Sequence, residues 1–170
     1  MACDSATDSV KSRGGPFGAV LVQIDDKTGE VLRYWSTGNK VTLLKDPTAH
    51  AEILAIRSAC KSLGTFKLSD INKRESKLPQ KGNTSHCEIY SSCEPCPMCY
   101  SAIYWARIAV LYFAATRFDA SSPGIDFSDK AIYEDLTKPY RDRKLIVKKC
   151  NSQNYNEAFI LWQKTGHIEY

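Results

Sequence analysis

The sequence has no hydrophobic run long enough to cross a membrane. Its longest strongly apolar stretch, residues 108–115, is far shorter than the roughly 20 residues that a spanning helix needs. The first twelve residues lack the basic segment and the apolar core of a secretory signal. The lack of such a signal predicts a cytoplasmic protein. Because 170 residues suit one domain with a single core, we expect one domain over residues 1–170.

The sequence also lacks a clustered surplus of positive charge. The net charge is only +4, and the lysine and arginine residues are scattered along the chain. A protein that binds nucleic acid usually carries a basic patch or stripe. We therefore expect no nucleic-acid partner, and the lack of a long apolar run predicts no membrane partner.

Cysteine occurs seven times, an odd number, and four of the seven lie between positions 87 and 99. Without a secretory signal, this pattern disfavours a disulfide scaffold. Closely spaced cysteines in a cytosolic protein are more typical of metal binding or redox chemistry.

The pattern of apolar and turn residues predicts alternating strands and helices. Residues 18–25 and 31–39 read as a β-hairpin around a turn at 26–29. A helix follows, with Asp46 as its cap, Pro47 at its first position and Gly64 at its end. Residues 72–84 are polar and contain Pro79 and Gly82, so we expect an exposed loop there.

The second half of the chain predicts a βαβ unit and further elements. A strand at 87–92, a helix at 95–106 and a strand at 108–115 would give parallel strands. We expect further elements at 128–136, at 144–148 as a fifth strand, and at 154–164 as a helix. The predicted fold is α/β: a three-layer α/β/α structure with a central mixed five-stranded sheet and helices on both faces.

Two predicted helix starts carry residues that can bind a metal ion. Cys96 and Cys99 are three residues apart, so both thiols lie on one helix face. A helix N-terminus also favours thiolates, which bind zinc. His50 would add a third ligand and leave the fourth tetrahedral position open, as in catalytic zinc sites. Glu52 is then the natural proton carrier beside one zinc ion per chain.

Taken singly, these motifs also fit sites of a different kind. The Cys-x-x-Cys pair alone fits a redox pair or a structural zinc site, with Cys87 or Cys93 as a fourth ligand. A zinc-stabilised interaction module without catalysis is a further alternative. In addition, ideal helical residues two apart point about 200° away from each other, so Glu52 would need a long reach or a distorted first turn.

His-x-Glu followed by Pro-Cys-x-x-Cys is the signature of zinc-dependent nucleobase deaminases. On these motifs the chain resembles the cytidine-deaminase-like superfamily, and within it the guanine deaminases of the bacterial type. The resemblance covers nearly the whole chain. Its segments are 15–20 (GPFGAV), 46–52 (DPTAHAE), 93–99 (CEPCPMC), 102–107 (AIYWAR), 129–133 (DKAIY) and 169–170 (EY). The stretches 103–107 (IYWAR) and 124–129 (GIDFSD) favour the guanine deaminases within the superfamily.

This resemblance implies hydrolysis of guanine to xanthine and ammonia, a step of purine catabolism or salvage. It assigns Asn39 to hydrogen bonds with the purine, Phe17 to stacking and Trp105 to the same pocket. Ala51 and Tyr170 complete the implied substrate-binding set. Without the resemblance, Asn39 could simply stabilise a turn, and the two aromatic residues could belong to the core.

The resemblance also implies a second proton carrier and a homodimer. Asp129 would serve the departing amine, with Asp126 as the alternative; Asp129 could instead cap the helix that follows. The C-terminal segment would swap onto the partner, so that Tyr170 closes the neighbouring site. Rival substrates are adenosine in tRNA, guanosine and cytosine.

Overall fold

The computed structural model describes residues 1–165, so Tyr170 lies outside the described part. The chain forms two compact units, one ending at Asp129 and one beginning at Lys130. Within residues 1–165, no helix is both long and apolar enough to span a membrane.

The first unit contains four helices and seven strands among its described residues. The helices are α1 (Ala2–Lys11), the short α2 (Val41–Leu44), α3 (Ala51–Leu63) and α4 (Pro97–Trp105). The main sheet contains β1 (Gly15–Asp25), β2 (Val31–Asn39), β3 (Ile71–Asn72), β4 (Thr84–Cys93) and β5 (Val110–Ala115). A small hairpin follows, formed by β6 (Ser121–Ser122) and β7 (Ile125–Asp126).

The five-stranded sheet is mixed, as predicted. Strand β4 lies next to β1, which pairs with it and with β2 in antiparallel fashion. On its other side β4 pairs with β3 near its start and with the parallel β5 near its end. The β4–α4–β5 crossover confirms the predicted βαβ unit.

Helices cover both faces of this sheet. Strand β1 shows this directly, since its successive side chains face opposite sides of the sheet. Ala19 and Leu21 join the buried apolar cluster that includes Ala55 of α3 and Ile103 of α4. Gly18 faces the other side, where an added Cβ would lie 2.3 Å from the carbonyl oxygen of Ala2 in α1. The three-layer α/β/α prediction is therefore confirmed.

Two sequence predictions were wrong in detail. Helix α3 begins at Ala51 rather than after Asp46, because the Asp46 carboxylate accepts hydrogen bonds from the backbone N–H and hydroxyl of Thr48 within the preceding turn. Residues 144–148 form no strand. The fifth strand is instead the two-residue β3, which pairs with Thr84 and Ser85.

The long polar segment between β3 and β4 is irregular, as predicted, but buried polar groups anchor it. The Gln80 amide donates to the carbonyl oxygen of Ile71 at 3.0 Å and contacts Gln23 of β1. The backbone N–H of Gly82 donates to Asp25 at 2.8 Å. The loop is thus fixed to the hairpin end of the sheet at two points.

The second unit contains α5 (Lys130–Leu136), a 3₁₀ turn (Tyr140–Asp142) and α6 (Glu157–Lys164). The Asp135 carboxylate accepts the backbone N–H of Lys144 at 2.9 Å and holds the segment after the turn. The apolar side chains of α6 are exposed, with Phe159 70% and Leu161 61% accessible. Such a helix gains free energy if another surface covers it.

Candidate metal centre and active site

The two metal-binding motifs lie at the starts of two helices that meet at one side of the sheet. His50 is the N-cap of α3 and Cys96 is the N-cap of α4, and both have extended backbones (φ −68°, ψ 153° and φ −63°, ψ 166°). Pro97 follows Cys96 as the first helical residue, which suits its missing N–H. Because His50 precedes the helix, the 200° separation of ideal helical residues does not apply to His50 and Glu52.

His50, Cys96 and Cys99 come together in a compact cluster. The His50 Nδ1 atom lies 3.6 Å from the Cys96 Sγ atom and 3.5 Å from the Cys99 Sγ atom. Three or more histidine, cysteine, aspartate or glutamate side chains bring their ligand atoms within 4.8 Å of one another only here within residues 1–165. One imidazole nitrogen and two sulfurs suit Zn²⁺, and three protein ligands leave one tetrahedral position for water.

The two cysteines considered as alternative fourth ligands do not belong to the ligand cluster, although Cys93 lies close to it. Cys87 belongs to the buried apolar core, where burial raises the pKa of its thiol to about 12. The Cys93 thiol donates to the carbonyl oxygen of Thr116 at 3.5 Å. Neither joins the ligand cluster in the described part of the chain, so the geometry favours an open site over a closed structural site.

Hydrogen bonding at the α4 start prepares Cys96 as a ligand. The hydrogen bond from the Cys99 thiol, with further bonds from His50 and the Cys99 backbone N–H, lowers the pKa of Cys96 to about 4. The same bond to Cys96 raises the pKa of Cys99, and the hydrogen bond to Cys96 raises the pKa of His50. Because the thiolate is the form of cysteine that binds zinc, these hydrogen bonds favour Cys96 as a ligand.

Glu52 points into the same site from the first turn of α3. Its side chain is buried, and this burial raises the pKa of its carboxyl group. The Ser91 hydroxyl donates to Oε1 at 3.0 Å, and Oε2 lies 3.4 Å from the Cys99 Sγ atom. A buried carboxyl group beside an open metal position is suited to carry protons.

A cavity of about 70 Å³ opens beside this cluster. Phe17 and Phe127 contribute its aromatic wall. The lining residues are Phe17, His50, Glu52, Cys93, Glu94, Cys96, Phe127 and Asp129. The sequence did not predict a role for Phe127 or Glu94, although both lie in segments that carry the family resemblance. Phe127 belongs to no periodic pattern, and its position two residues before Asp129 was the available signal.

Asp129 lines the cavity, whereas the Asp126 side chain serves the local turn. The Asp126 Oδ1 atom accepts the backbone N–H of Ser128 at 2.9 Å. Asp129 has a left-handed backbone (φ 52°), and burial raises the pKa of its carboxyl group. Aspartate tolerates this conformation better than most residues, and the turn directs its carboxyl group toward the cavity.

Three of the remaining expected substrate contacts, Asn39, Ala51 and Trp105, do not line this cavity. The Asn39 side-chain oxygen accepts the backbone N–H of Val41 at 3.1 Å, which is a turn-stabilising role. The carbonyl oxygen of Ala51 accepts the Thr37 hydroxyl at 2.6 Å. Trp105 ends α4, about 13 Å along the helix from Cys96, and its side chain is 61% exposed. Tyr170 lies outside the described residues.

Comparison with known proteins agrees with this arrangement. Residues 1–115 match the family described as the cytidine and deoxycytidylate deaminase zinc-binding region. The guanine deaminase of Bacillus subtilis is 38% identical over 163 residues, which cover 96% of this chain and 87% of that protein. Its X-ray structure superposes with a TM-score of 0.76 at 36% identity, covering 99% of this chain and 93% of that one.

A tRNA-specific adenosine deaminase of Aquifex aeolicus is 39% identical, but over only 100 residues, or 59% of this chain and 52% of that protein. The resemblance to bacterial guanine deaminases is therefore confirmed over nearly the full length. Zinc binding is confirmed by the family match together with the His50, Cys96 and Cys99 cluster. The chain belongs to the cytidine and deoxycytidylate deaminase zinc-binding family, and it is a zinc-dependent hydrolytic deaminase.

Proposed function

We propose that this deaminase converts guanine and water to xanthine and ammonia. The observation that carries the proposal is the extent of the similarity. The match to a guanine deaminase runs through 96% of the chain, whereas the tRNA-specific relative matches 59%. The part outside the zinc motifs, which includes the segment around Asp129, is thus also similar to a guanine deaminase.

In this proposal Glu52 moves the protons of the reaction. Zinc, when held by His50, Cys96 and Cys99, supplies a Lewis acid that makes the attacking water more acidic. Glu52 takes a proton from this water and delivers it to the ring nitrogen beside the carbon that carries the amine. Its burial supports this role, because a carboxyl group with a raised pKa exchanges protons more readily near neutral pH.

The remaining cavity residues would hold the base and assist the leaving group. Asp129 lines the same cavity as the aromatic wall and would pass a proton to the departing amine. Phe17 would stack on the planar purine, a contact worth about 1–3 kcal/mol per base in stacking sites. Asn39 and Ala51 would contribute only after rearranging their present hydrogen bonds to Val41 and Thr37.

The proposal includes a homodimer in which residues 1–170 act as one domain with a swapped C-terminal segment. Exposed apolar and aromatic residues support it, because they gain by burial against a partner. Helix α4 presents Tyr100, Tyr104 and Trp105 to solvent, and α6 presents Phe159 and Leu161. Trp105 would then act at the subunit interface, and Tyr170 would close the neighbouring site.

We further propose that the enzyme works in the cytoplasm, in purine catabolism or salvage. All seven cysteines lie within residues 1–165 and are free of disulfide bonds there, including the two in the zinc cluster. A reducing compartment keeps such thiols available for zinc.

The decisive experiment is an ammonia-release assay of the zinc-loaded protein with guanine, guanosine, cytosine, adenine and a tRNA transcript. We expect turnover with guanine, with much lower rates for the other substrates. Inosine formation in the tRNA without ammonia release from guanine would replace this proposal with tRNA editing. Preferential turnover of guanosine or cytosine would replace it with another small-molecule deaminase.

A further inference from the structure

We infer that Ser91 is a positioning residue for the general base: its hydroxyl fixes the Glu52 carboxyl group so that one chosen oxygen carries the proton. This inference rests on the proposed role of Glu52. The Ser91 hydroxyl donates to Glu52 Oε1 at 3.0 Å, and both side chains are buried, at 3% and 6% exposure.

The position of the Ser91 donor is rigid. Ser91 lies in the interior of β4, paired with Ala19 of β1 on one side and with Phe113 of β5 on the other. Strands on both sides hold the backbone of Ser91, so its hydroxyl can change position only by rotation about χ1. Glu52 instead projects from the first turn of α3 on a flexible side chain, so the hydrogen bond restrains Glu52 rather than Ser91.

The two oxygens of the Glu52 carboxyl group consequently have different roles. Oε1 is occupied by the hydroxyl of Ser91, whereas Oε2 lies 3.4 Å from Cys99 Sγ, on the side of the ligand cluster. Because cysteine binds metal as a thiolate, the Cys99 thiol has no proton to donate in the zinc-loaded protein. Ser91 is then the side-chain donor that Glu52 retains, and Oε2 is the carboxyl oxygen on the side of the residues that would hold the metal.

Loss of this restraint should reduce the rate of the chemical step more than substrate binding. Partners that orient active-site groups from outside typically contribute about 10- to 100-fold to activity, and small misplacements of catalytic groups cost about as much. We therefore expect Ser91→Ala to lower kcat about 10- to 100-fold with KM changed less than about threefold.

The adjacent residue offers a matched control. The Ser92 hydroxyl is also nearly buried in β4, but it accepts the backbone N–H of Gly18 at 3.0 Å rather than contacting Glu52. Ser92→Ala removes a comparable hydrogen bond and should keep kcat near the wild-type value. Ser91→Thr retains the hydroxyl and should recover most of the lost rate. Zinc content and Tm, measured for all three variants, identify any general structural damage.

A second measurement is independent of turnover, so it separates this inference from the proposed substrate. The infrared difference spectrum between wild-type protein and Glu52→Gln identifies the carboxyl band of Glu52. Removal of a hydrogen bond to Oε1 should shift this band in Ser91→Ala and leave it in place in Ser92→Ala. Absence of guanine turnover in the wild-type protein would overturn the proposed function, while the band shift would still test the contact.

Three results would overturn the inference. The first is a kcat for zinc-loaded Ser91→Ala within about twofold of wild type. The second is an equal loss in Ser92→Ala at the same zinc content, which would indicate a structural effect of β4. The third is an unshifted infrared band of Glu52 in a folded Ser91→Ala protein. This third test does not depend on whether the Ser91→Thr protein folds.

Discussion

Phe127 packs edge-to-face on Phe17, with ring centroids 5.1 Å apart and ring planes at 89°. Both rings line the cavity that contains Glu52 and Asp129. The edge of one ring against the face of the other restricts the tilt of both, so Phe127 supports the ring that is proposed to stack on the purine. The aromatic wall is therefore a pair rather than a single stacking residue.

Phe127→Ala should weaken substrate binding. Edge-to-face pairs contribute about 0.5–1.5 kcal/mol beyond simple burial, so KM for guanine should rise about 2- to 13-fold. Steady-state kinetics with Phe118→Ala as the control test this expectation, because Phe118 is an exposed phenylalanine that does not line the cavity. An unchanged KM in Phe127→Ala, or the same rise in both variants, would contradict the supporting role.

Glu52→Gln should abolish proton transfer while keeping the shape of the site. Glutamine retains a carbonyl oxygen that can accept the Ser91 hydroxyl, so we expect the zinc content to stay at the wild-type level. Turnover should fall by at least the roughly 10²–10⁴-fold that general acid–base catalysis contributes.

A matched control is Glu88→Gln. Glu88 lies on the same strand as Ser91 and accepts the Tyr90 hydroxyl at 2.8 Å, and it does not line the cavity. Turnover and zinc are measured on the same samples. A zinc-loaded Glu52→Gln protein with near-normal kcat would exclude Glu52 as the proton carrier.

Zinc binding should depend on two of the four cysteines that lie between positions 87 and 99. Cys96→Ser and Cys99→Ser should each lose most of the zinc, because a serine hydroxyl is a poor zinc ligand at neutral pH. Cys87→Ser and Cys93→Ser should keep about one zinc per chain, since neither thiol belongs to the ligand cluster. Elemental analysis gives the content. X-ray absorption should show one nitrogen and two sulfur ligands, whereas four sulfurs would indicate a closed structural site.

The metal motif was predictable from sequence because its geometry is local. Cys96 and Cys99 belong to one helix start, and three-residue spacing at a helix start fixes their relation. The position of Glu52 was not predictable in the same way, because it depends on His50 remaining outside the helix. Asp46 was a misleading signal for the helix start, since its carboxylate is used by Thr48.

The aromatic wall and the fifth strand depend on tertiary contacts that leave little trace in the sequence. Phe127 follows a two-residue strand in an irregular segment, where no periodicity marks which side chains face inward. Residues 144–148 are rich in strand-forming side chains, but Leu145 and Ile146 are exposed in the structure. Strand propensity without a pairing partner does not produce a strand.

The cysteines should differ strongly in reactivity. Because burial raises the pKa of Cys87 to about 12, only about 10⁻⁴ of this thiol is ionised at pH 8, and the thiolate is the reactive form. Cys3 and Cys150 are exposed and should be alkylated first by iodoacetamide. Peptide mass spectrometry over a time course measures the order. If Cys87 of the folded, zinc-loaded protein were modified as fast as Cys150, this would contradict the buried position of the Cys87 thiol in β4.

The proposed swap predicts activity in mixed dimers of two inactive chains. One chain lacks Ile168–Tyr170 and keeps Glu52, and the other carries Glu52→Gln and keeps its tail. If the tail acts on the neighbouring subunit, one site of the mixed dimer has both Glu52 and a covering tail, because the intact tail closes the site of the truncated chain. Closure matters because it excludes water and holds the base for attack.

The two chains must exchange, so they should be co-expressed with different affinity tags and purified through both. We expect each variant alone to be nearly inactive and the doubly tagged dimer to turn over guanine at one of its two sites. A doubly tagged dimer of Glu52→Gln with wild type sets the level expected for one complete site. A tail that acts within its own chain leaves neither site of the first mixture complete, so no recovery in verified mixed dimers would exclude the swap and assign Tyr170 a local role.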